Sequence, residues 1–383
     1  MKKFSKIIVI ALIFILFQNV FAHGSEEKQY KAKIIKDLGV REEFLEDSSG
    51  GSKEKYQVLK VKIIDNSELK GKTFDAEYVL RLYDSVEHEM LKEGKKVYVS
   101  RDQMDPNRII ITDVDRLPYL LVVFIIFLLF IILIGRWQGV KTIISLGLTF
   151  AAIFYVVLPL IIKGYSAIFL AVIACGLIAI VTLILVGGIN RKTVVSIVGT
   201  ISGVIVSAIL AITVSKLANI TGLSNEDSQM LIYATSGMNV DIKGLFFAGI
   251  LIGTVGATMD ISMSIASAMH ELTDKVKSIK ASELIKSGLN VGKDAMGTMS
   301  NTLILAYVGE SINLVLFFML TQNNFFNVIN TDFIASEILR SICGTIGMIS
   351  AIPITAFIYG VIYYLFDKET EIDKYKKRNV IDI

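Results

Sequence analysis

Charge, cysteine and histidine are all scarce in this 383-residue chain: 20% of residues are charged, two are cysteine and three are histidine. Cys175 and Cys343 both sit inside apolar runs, with no second Cys or His nearby at metal-ligand spacing. That excludes a disulfide framework and a zinc module. The sequence also lacks a Walker loop, paired histidines and a serine with a nearby His partner, so it offers no catalytic, metal or cofactor site and no route to ATP-driven transport by this chain alone. The formal net charge of +3 is small. Its positive residues gather at the ends of apolar runs rather than in one patch, which gives no argument for nucleic-acid binding. What the chain does have is apolar surface: 53% hydrophobic residues and a mean hydropathy of +0.60. This is too apolar for an ordinary soluble domain and predicts a multi-span α-helical membrane protein whose first partner is the lipid bilayer.

The first 22 residues carry Lys2, Lys3 and Lys6, then an apolar run, then Val20-Phe21-Ala22. They read as a signal peptide or an uncleaved anchor, and either one exports the segment after it. Residues 24–116 are polar and contain five runs of period-two alternation: YKAKIIKDLGV, YQVLKVKIID, TFDAEYVLRLY, KKVYVSRD and RIIITDV. Five short strands of this kind suit a small extracytoplasmic β-barrel of the OB type, because closure removes exposed edges. No aromatic stacking set accompanies them, which favours docking or gating over ligand binding.

From Leu117 the apolar runs predict seven spans, at 118–135, 142–162, 166–187, 194–216, 243–269, 293–320 and 334–366, within a transmembrane domain over 117–366. With the barrel outside, the inner segments hold Arg136 and Lys141; Arg191 and Lys192; Lys275, Lys277, Lys280, Lys286 and Lys293; and the basic tail 367–383. Outer segments are nearly free of Lys and Arg. This bias satisfies the positive-inside rule and predicts a multi-pass cell-membrane protein with a cytoplasmic C-terminus. The inner segment 270–294 reads equally as a surface-lying amphipathic helix or a solvated loop. Spans two to four and five to seven form two triples, the arrangement of inverted-repeat transporters, although internal similarity is limited to Ala257-Thr258-Met259 against Gly297-Thr298-Met299.

Carboxylates within apolar spans are costly and mark function by default. Gly249, Gly253, Gly256, Asp260, Ser264 and Ser267 fall at helical spacing on one face of the fifth span. A small-residue face of this kind predicts close helix packing, with Asp260 pointing into the bundle. In the sixth span Asp294, Gly297 and Asn301 share one face, and Glu310 stands near Asn313. Asp260 and Glu310 are therefore expected as a pair of buried carboxylates that exchange a proton or cation, with Asn301, Asn313, Thr258, Ser264 and Asp294 as further ligands. Pro353 in the last span predicts a kink or a broken helix. Met259, Met263, Met296 and Met299 suit helix packing better than a soft-metal site, since no Cys or His accompanies them. His270, beside Glu271, reads as structural.

The motifs DVDRLPYLLV entering the first span, GTVGATMDISMSIASAMHEL in the fifth and GKDAMGTMSNTLILAY in the sixth resemble the YibE/F family of bacterial membrane proteins. The resemblance implies an integral membrane protein connected with transport and names no substrate. Taken together, the residues predict a secondary transporter or ion-coupled permease for a small solute or ion. The alternative is a non-transporting scaffold or assembly factor whose exported barrel docks an envelope protein partner, or a homo-oligomer. No nucleic-acid partner is expected.

Overall fold

The computed structural model describes residues 29–45, 52–80, 90–102, 108–224, 226–276, 279–321 and 324–381, with side chains outside 43–45, 52–54, 226 and 366–381. The signal peptide or anchor expected over 1–22 lies outside the described residues. The chain divides into two compact units, one containing the barrel and ending at Phe130, the other beginning at Ile131.

All five alternating runs form strands: β1 (Tyr30–Leu45), β2 (Ser52–Ile63), β3 (Thr73–Leu80), β4 (Lys96–Arg101) and β5 (Ile109–Val114). They close into a barrel in the order β1-β2-β3-β5-β4. β1 makes the closure by pairing with β2 along its length and with β4 through Tyr30–Lys33. Register irregularities between Ile34 and Lys36 and between Asp37 and Gly39 bend it, as bulges do. β3 and β5 meet in parallel, which makes the barrel OB-like in topology. Alternation sends Ala32, Ile34, Leu59, Val61, Ile63, Val97 and Val99 into one core. Gln57 is fully buried beside them. Its amide accepts from Leu91 N (2.8 Å) and donates to Leu91 O (3.0 Å) and Asp37 Oδ2 (2.8 Å), so the segment after β3 is held by one side chain.

Beyond the barrel the chain is helical: α1 (Leu117–Ala152), a π-helical turn (Ile153–Val157), α2 (Leu158–Ile162), α3 (Ala167–Gly187), α4 (Arg191–Ala218), α5 (Glu226–Ala234), α6 (Ile242–Lys275), α7 (Ala281–Thr321), α8 (Phe325–Ile329) and α9 (Asp332–Ile381). The π turn precedes Pro159, whose missing N–H interrupts the regular ladder. Among the described residues six segments are long and apolar enough to cross a membrane, the first being the whole of Leu117–Ile162. The sequence predicts two spans over that 46-residue segment, and it is broken at Arg136, where φ is 48° and ψ is −122°. On a straight helix Gly139 would stand about 12 Å along the axis from Ile131. Instead, a Cβ built on Gly139 would overlap the Ile131 carbonyl oxygen, so the chain folds sharply back at this point.

The centre of the bundle is α6, 56% of whose most apolar window is buried, against 6% for Leu117–Ile162 and for α7. It is enclosed by α3, α4, α7 and α9. Close approach comes from glycine: a Cβ on Gly203 of α4 would lie 2.6 Å from Gly347 O of α9, and one on Gly347 would lie 2.7 Å from Gly203 O. A single carboxylate, Asp241, accepts from Gly244 N at the start of α6 (2.8 Å) and from Ala167 N at the start of α3 (3.3 Å). Buried hydroxyls along these contacts bond mostly within their own helices, as Thr254 to Ile250 O (2.7 Å) and Thr200 to Ser196 O (2.7 Å).

Three expectations change. The inner segment 270–294 is neither a surface helix nor a loop: α6 runs on to Lys275, α7 starts at Ala281, and Leu284 is fully buried in a cluster with Met269 and Tyr359. Pro353 does not break α9, which is continuous from Asp332 to Ile381 and carries the chain through the basic tail. The two triples do not repeat each other's contacts, because α6 is enclosed on four sides whereas its counterpart, the second half of α1 with α2, packs on α3.

Candidate functional site

The small-residue stripe of α6 is not the face on which this helix packs. Thr254, Thr258, Ser262, Ile261 and Ile265 make the enclosed face, against the glycines of α4 and α9. Gly249, Gly253, Asp260 and Ser264 are exposed, and Gly249 and Gly256 have nothing within 4 Å of where a Cβ would be. The physical reason is a competition between two small faces. Glycines on the partners, not on α6, permit the tightest approach, and the β-branched threonines of α6 fill the grooves they leave.

Thr258 is thus a packing residue, fully buried, with its methyl toward Gly203 and its hydroxyl donating to Thr254 O (3.0 Å). Asp260 stands near the middle of α6 on the open side. On α7, Asp294 and Asn301 lie opposite the buried face made by Leu284, Gly288 and Gly292, and both are exposed, as is Asn313. No hydrogen bond or ion pair joins any two of Asp260, Glu310, Asn301, Asp294, Ser264, Thr258 and Asn313 among the described residues. The expected pairing of Asp260 with Glu310 is not formed. Tyr307 of α7 meets α6 at Gly253. Because the helices are antiparallel neighbours, Asp260 lies seven residues from that contact toward one end and Glu310 three toward the other, a separation along the axes of about 15 Å.

Glu310 instead belongs to a group that reading span by span misses. Glu337 and Arg340, three apart on α9, form an ion pair with Nη1 3.3 Å from Oε1 and with only 15% and 20% of their side chains exposed. Arg340 lies eight residues into its span, about 12 Å from Asp332 along the axis. Its guanidinium carbon is 5.4 Å from the centroid of the Phe246 ring on α6, a cation–π contact. Gly222 presses on the same ring. The loop holding Gly222 is latched to α9 by Asp332, which accepts from Thr221 N (2.7 Å), from Thr221 Oγ1 (2.6 Å) and from Ser224 Oγ. Ser311, buried on α7, acts on the Glu337 carboxylate, and Glu310 and Tyr307 lie within electrostatic reach of the pair. Glu337 Oε2 and Arg340 Nε are buried without a hydrogen-bond partner.

The sequence signal was present in DFIASEILRSICG, a Glu and an Arg at i, i+3 inside an apolar run. At 270, the imidazole Nδ1 lies 3.1 Å from the Tyr359 hydroxyl, a contact between α6 and α9. Among the described residues no three His, Cys, Asp or Glu side chains are grouped so as to hold a metal ion.

The chain belongs to the YibE/F-like protein family, whose model matches residues 123–364. No curated protein and no solved structure matches it.

Proposed function

We propose that this YibE/F-family chain is a secondary transporter or ion-coupled permease that moves a small solute or ion through the side of the bundle formed by α6, α7 and α9. The observation that carries the reading is the presence of ionisable groups on three adjacent helices within their apolar lengths: Asp260 on α6, Glu310 on α7, and Glu337 with Arg340 on α9. Such groups cost at least a few kcal/mol each against hydrocarbon and are kept where a pathway uses them. The open face bearing Asp260, Ser264, Gly249 and Gly253 is likewise mismatched to lipid, which supports its lining an aqueous or protein-enclosed route.

In this reading the fold-back at Arg136 separates two crossings, so the chain crosses seven times, with the barrel outside and the C-terminus in the cytoplasm. The charge bias supports that orientation, because Arg136, Arg191, Lys275 and the tail then share the cytoplasmic side. The Glu310–Glu337–Arg340 group opens toward the exterior, and Asp260 lies deeper.

The test is release of a mixed pool of small solutes, identified by mass spectrometry, from vesicles holding the purified chain under an imposed pH or sodium gradient. Asp260→Asn is expected to leave abundance intact and abolish release. Tolerance of that change, together with failure on deleting residues 24–116, would instead identify a docking scaffold.

A further inference from the structure

We propose that Glu337, Arg340 and Glu310 form a proton-exchange site in which one guanidinium serves two carboxylates and a single proton makes up the difference in charge. This rests on the permease reading and names its coupling ion.

The geometry around Arg340 is not that of a finished structural ion pair. A guanidinium bound for stability alone offers its fork and takes a carboxylate through two parallel contacts. Here one contact joins Nη1 to Oε1, and each partner leaves a buried atom unused, Oε2 as an acceptor and Nε–H as a donor. The unused oxygen has room in its chemistry for a proton, and a second carboxylate, Glu310, acts electrostatically on Glu337. Phe246 covers the guanidinium, so the charge cannot be relieved by water from that direction.

The charge count points the same way. The groups that act electrostatically on Glu337 are Arg340 from its own helix and Glu310 from α7, and Tyr307 of α7 feels all three. From α6 the group is faced by Phe246, and no titratable residue of α4 acts on it among the described residues. Two carboxylates and one guanidinium leave one negative charge, shared between an enclosed and an exposed carboxyl, and one bound proton removes it. Glu310 is exposed and Glu337 enclosed, with the buried Ser311 hydroxyl beside Glu337 and next in sequence to Glu310.

A proton taken up by Glu310 from the open side passes to Glu337 Oε2 while Ser311 accepts one proton and gives up its own. An O–H bond forms on Glu337, the Nη1 to Oε1 contact loosens, and the guanidinium turns to the now ionised Glu310. The O–H bond of Glu310 breaks as that of Glu337 forms, the Ser311 hydroxyl exchanges one O–H for another, and the proton leaves by the reverse transfer once the helices have moved.

The experiment uses the full chain in lipid vesicles, carrying Asp260→Asn to silence the other mid-span carboxyl, and reads infrared difference spectra across a pH titration in the presence and absence of sodium. The expected result is a protonated-carboxyl C=O band that is lost in Glu337→Gln. In Arg340→Met the band persists to a pH higher by about one unit or more, because the competing cation is gone. Glu310→Gln, on the exposed side, keeps the fold testable if changes at 337 do not. There the guanidinium serves Glu337 alone, so the band should vanish over the neutral range. A band indifferent to Glu337→Gln and Glu310→Gln, an unmoved titration in Arg340→Met, or a response to sodium in place of pH would overturn the proposal. Solute release by the parent chain without this band would sink the proton site and leave the permease standing; the band without any release would do the reverse.

Discussion

Replacing Gly203 with alanine tests the packing that positions the ionisable groups of the bundle. The added Cβ would lie 2.6 Å from Gly347 O, 2.9 Å from Thr258 Cγ2 and 3.2 Å from Ala351 Cβ. An ordinary contact needs about 3.4 Å, so α4 and α9 must part by roughly 0.8 Å, a gap that forfeits a quarter to a half of the dispersion energy of each contact it opens. The expected cost is about 1–3 kcal/mol. Gly347→Ala meets Gly203 O at 2.7 Å and Ser207 Cβ at 2.8 Å, and should cost a similar amount. The same separation relieves both clashes, so the double variant should cost little more than the worse single one, a coupling about as large as the smaller single cost, about 1–3 kcal/mol. Gly249→Ala is the control: nothing lies within 4 Å of its Cβ, and loss of glycine's backbone freedom should leave stability unchanged or raise it by up to about 1 kcal/mol. Unfolding of the purified chain in mixed micelles against a denaturing detergent gives the differences. The reasoning fails if Gly203→Ala is as stable as the parent, or if Gly249→Ala is the more damaging of the two.

Other outcomes rest on the same geometry. Gln57→Leu strands the buried N–H and C=O of Leu91 and should destabilise the barrel by about 2–5 kcal/mol, read as faster amide exchange at Leu91 and along β2. The Lys31 ammonium is held above its usual 10.5, chiefly by its 2.6 Å ion pair with Asp115, with burial opposing and Tyr98 assisting. A raised cation stabilises fully below its unfolded value, and that contribution disappears as pH rises through the folded value, so barrel stability should fall above about pH 10.5 more steeply in the parent than in Lys31→Met. Parallel curves for the two would show that the pair is not the cause. A membrane-impermeant maleimide applied from outside should label Gly164→Cys and spare Arg136→Cys. The opposite pattern, or labelling of both, rules out two crossings with the barrel outside.

Much of the fold was legible because its signals are local. The five strands of the barrel were readable from alternation over a few residues, and closure came from the absence of spare edges. The helices declared themselves by length and composition. The first join was readable as well, since the expected end of the first span at residue 135 adjoins the break at Arg136, although no side-chain preference announces the left-handed φ there. Pro353 announced a kink or a break, and only the break is ruled out, since a helix packed by its neighbours tolerates a proline that would break an isolated one.

The ionisable groups of the spans were half legible. Asp260 stood out because it was alone among small residues, and Glu337 with Arg340 was overlooked because a Glu and an Arg three apart look like an ordinary surface pair. The sequence by itself determined which residues are ionisable within apolar helices, since that is a matter of composition along one dimension. Only the tertiary structure decided which face of α6 packs, because Thr254, Thr258 and Ser262 make a second face of small residues beside Gly249, Gly253 and Gly256, and the choice lies with Gly199, Gly203 and Gly347 on other helices. It also decided which acid meets a base, for that depends on the antiparallel register of α7 against α6 and α9, set by contacts such as Tyr307 on Gly253 that no single helix contains.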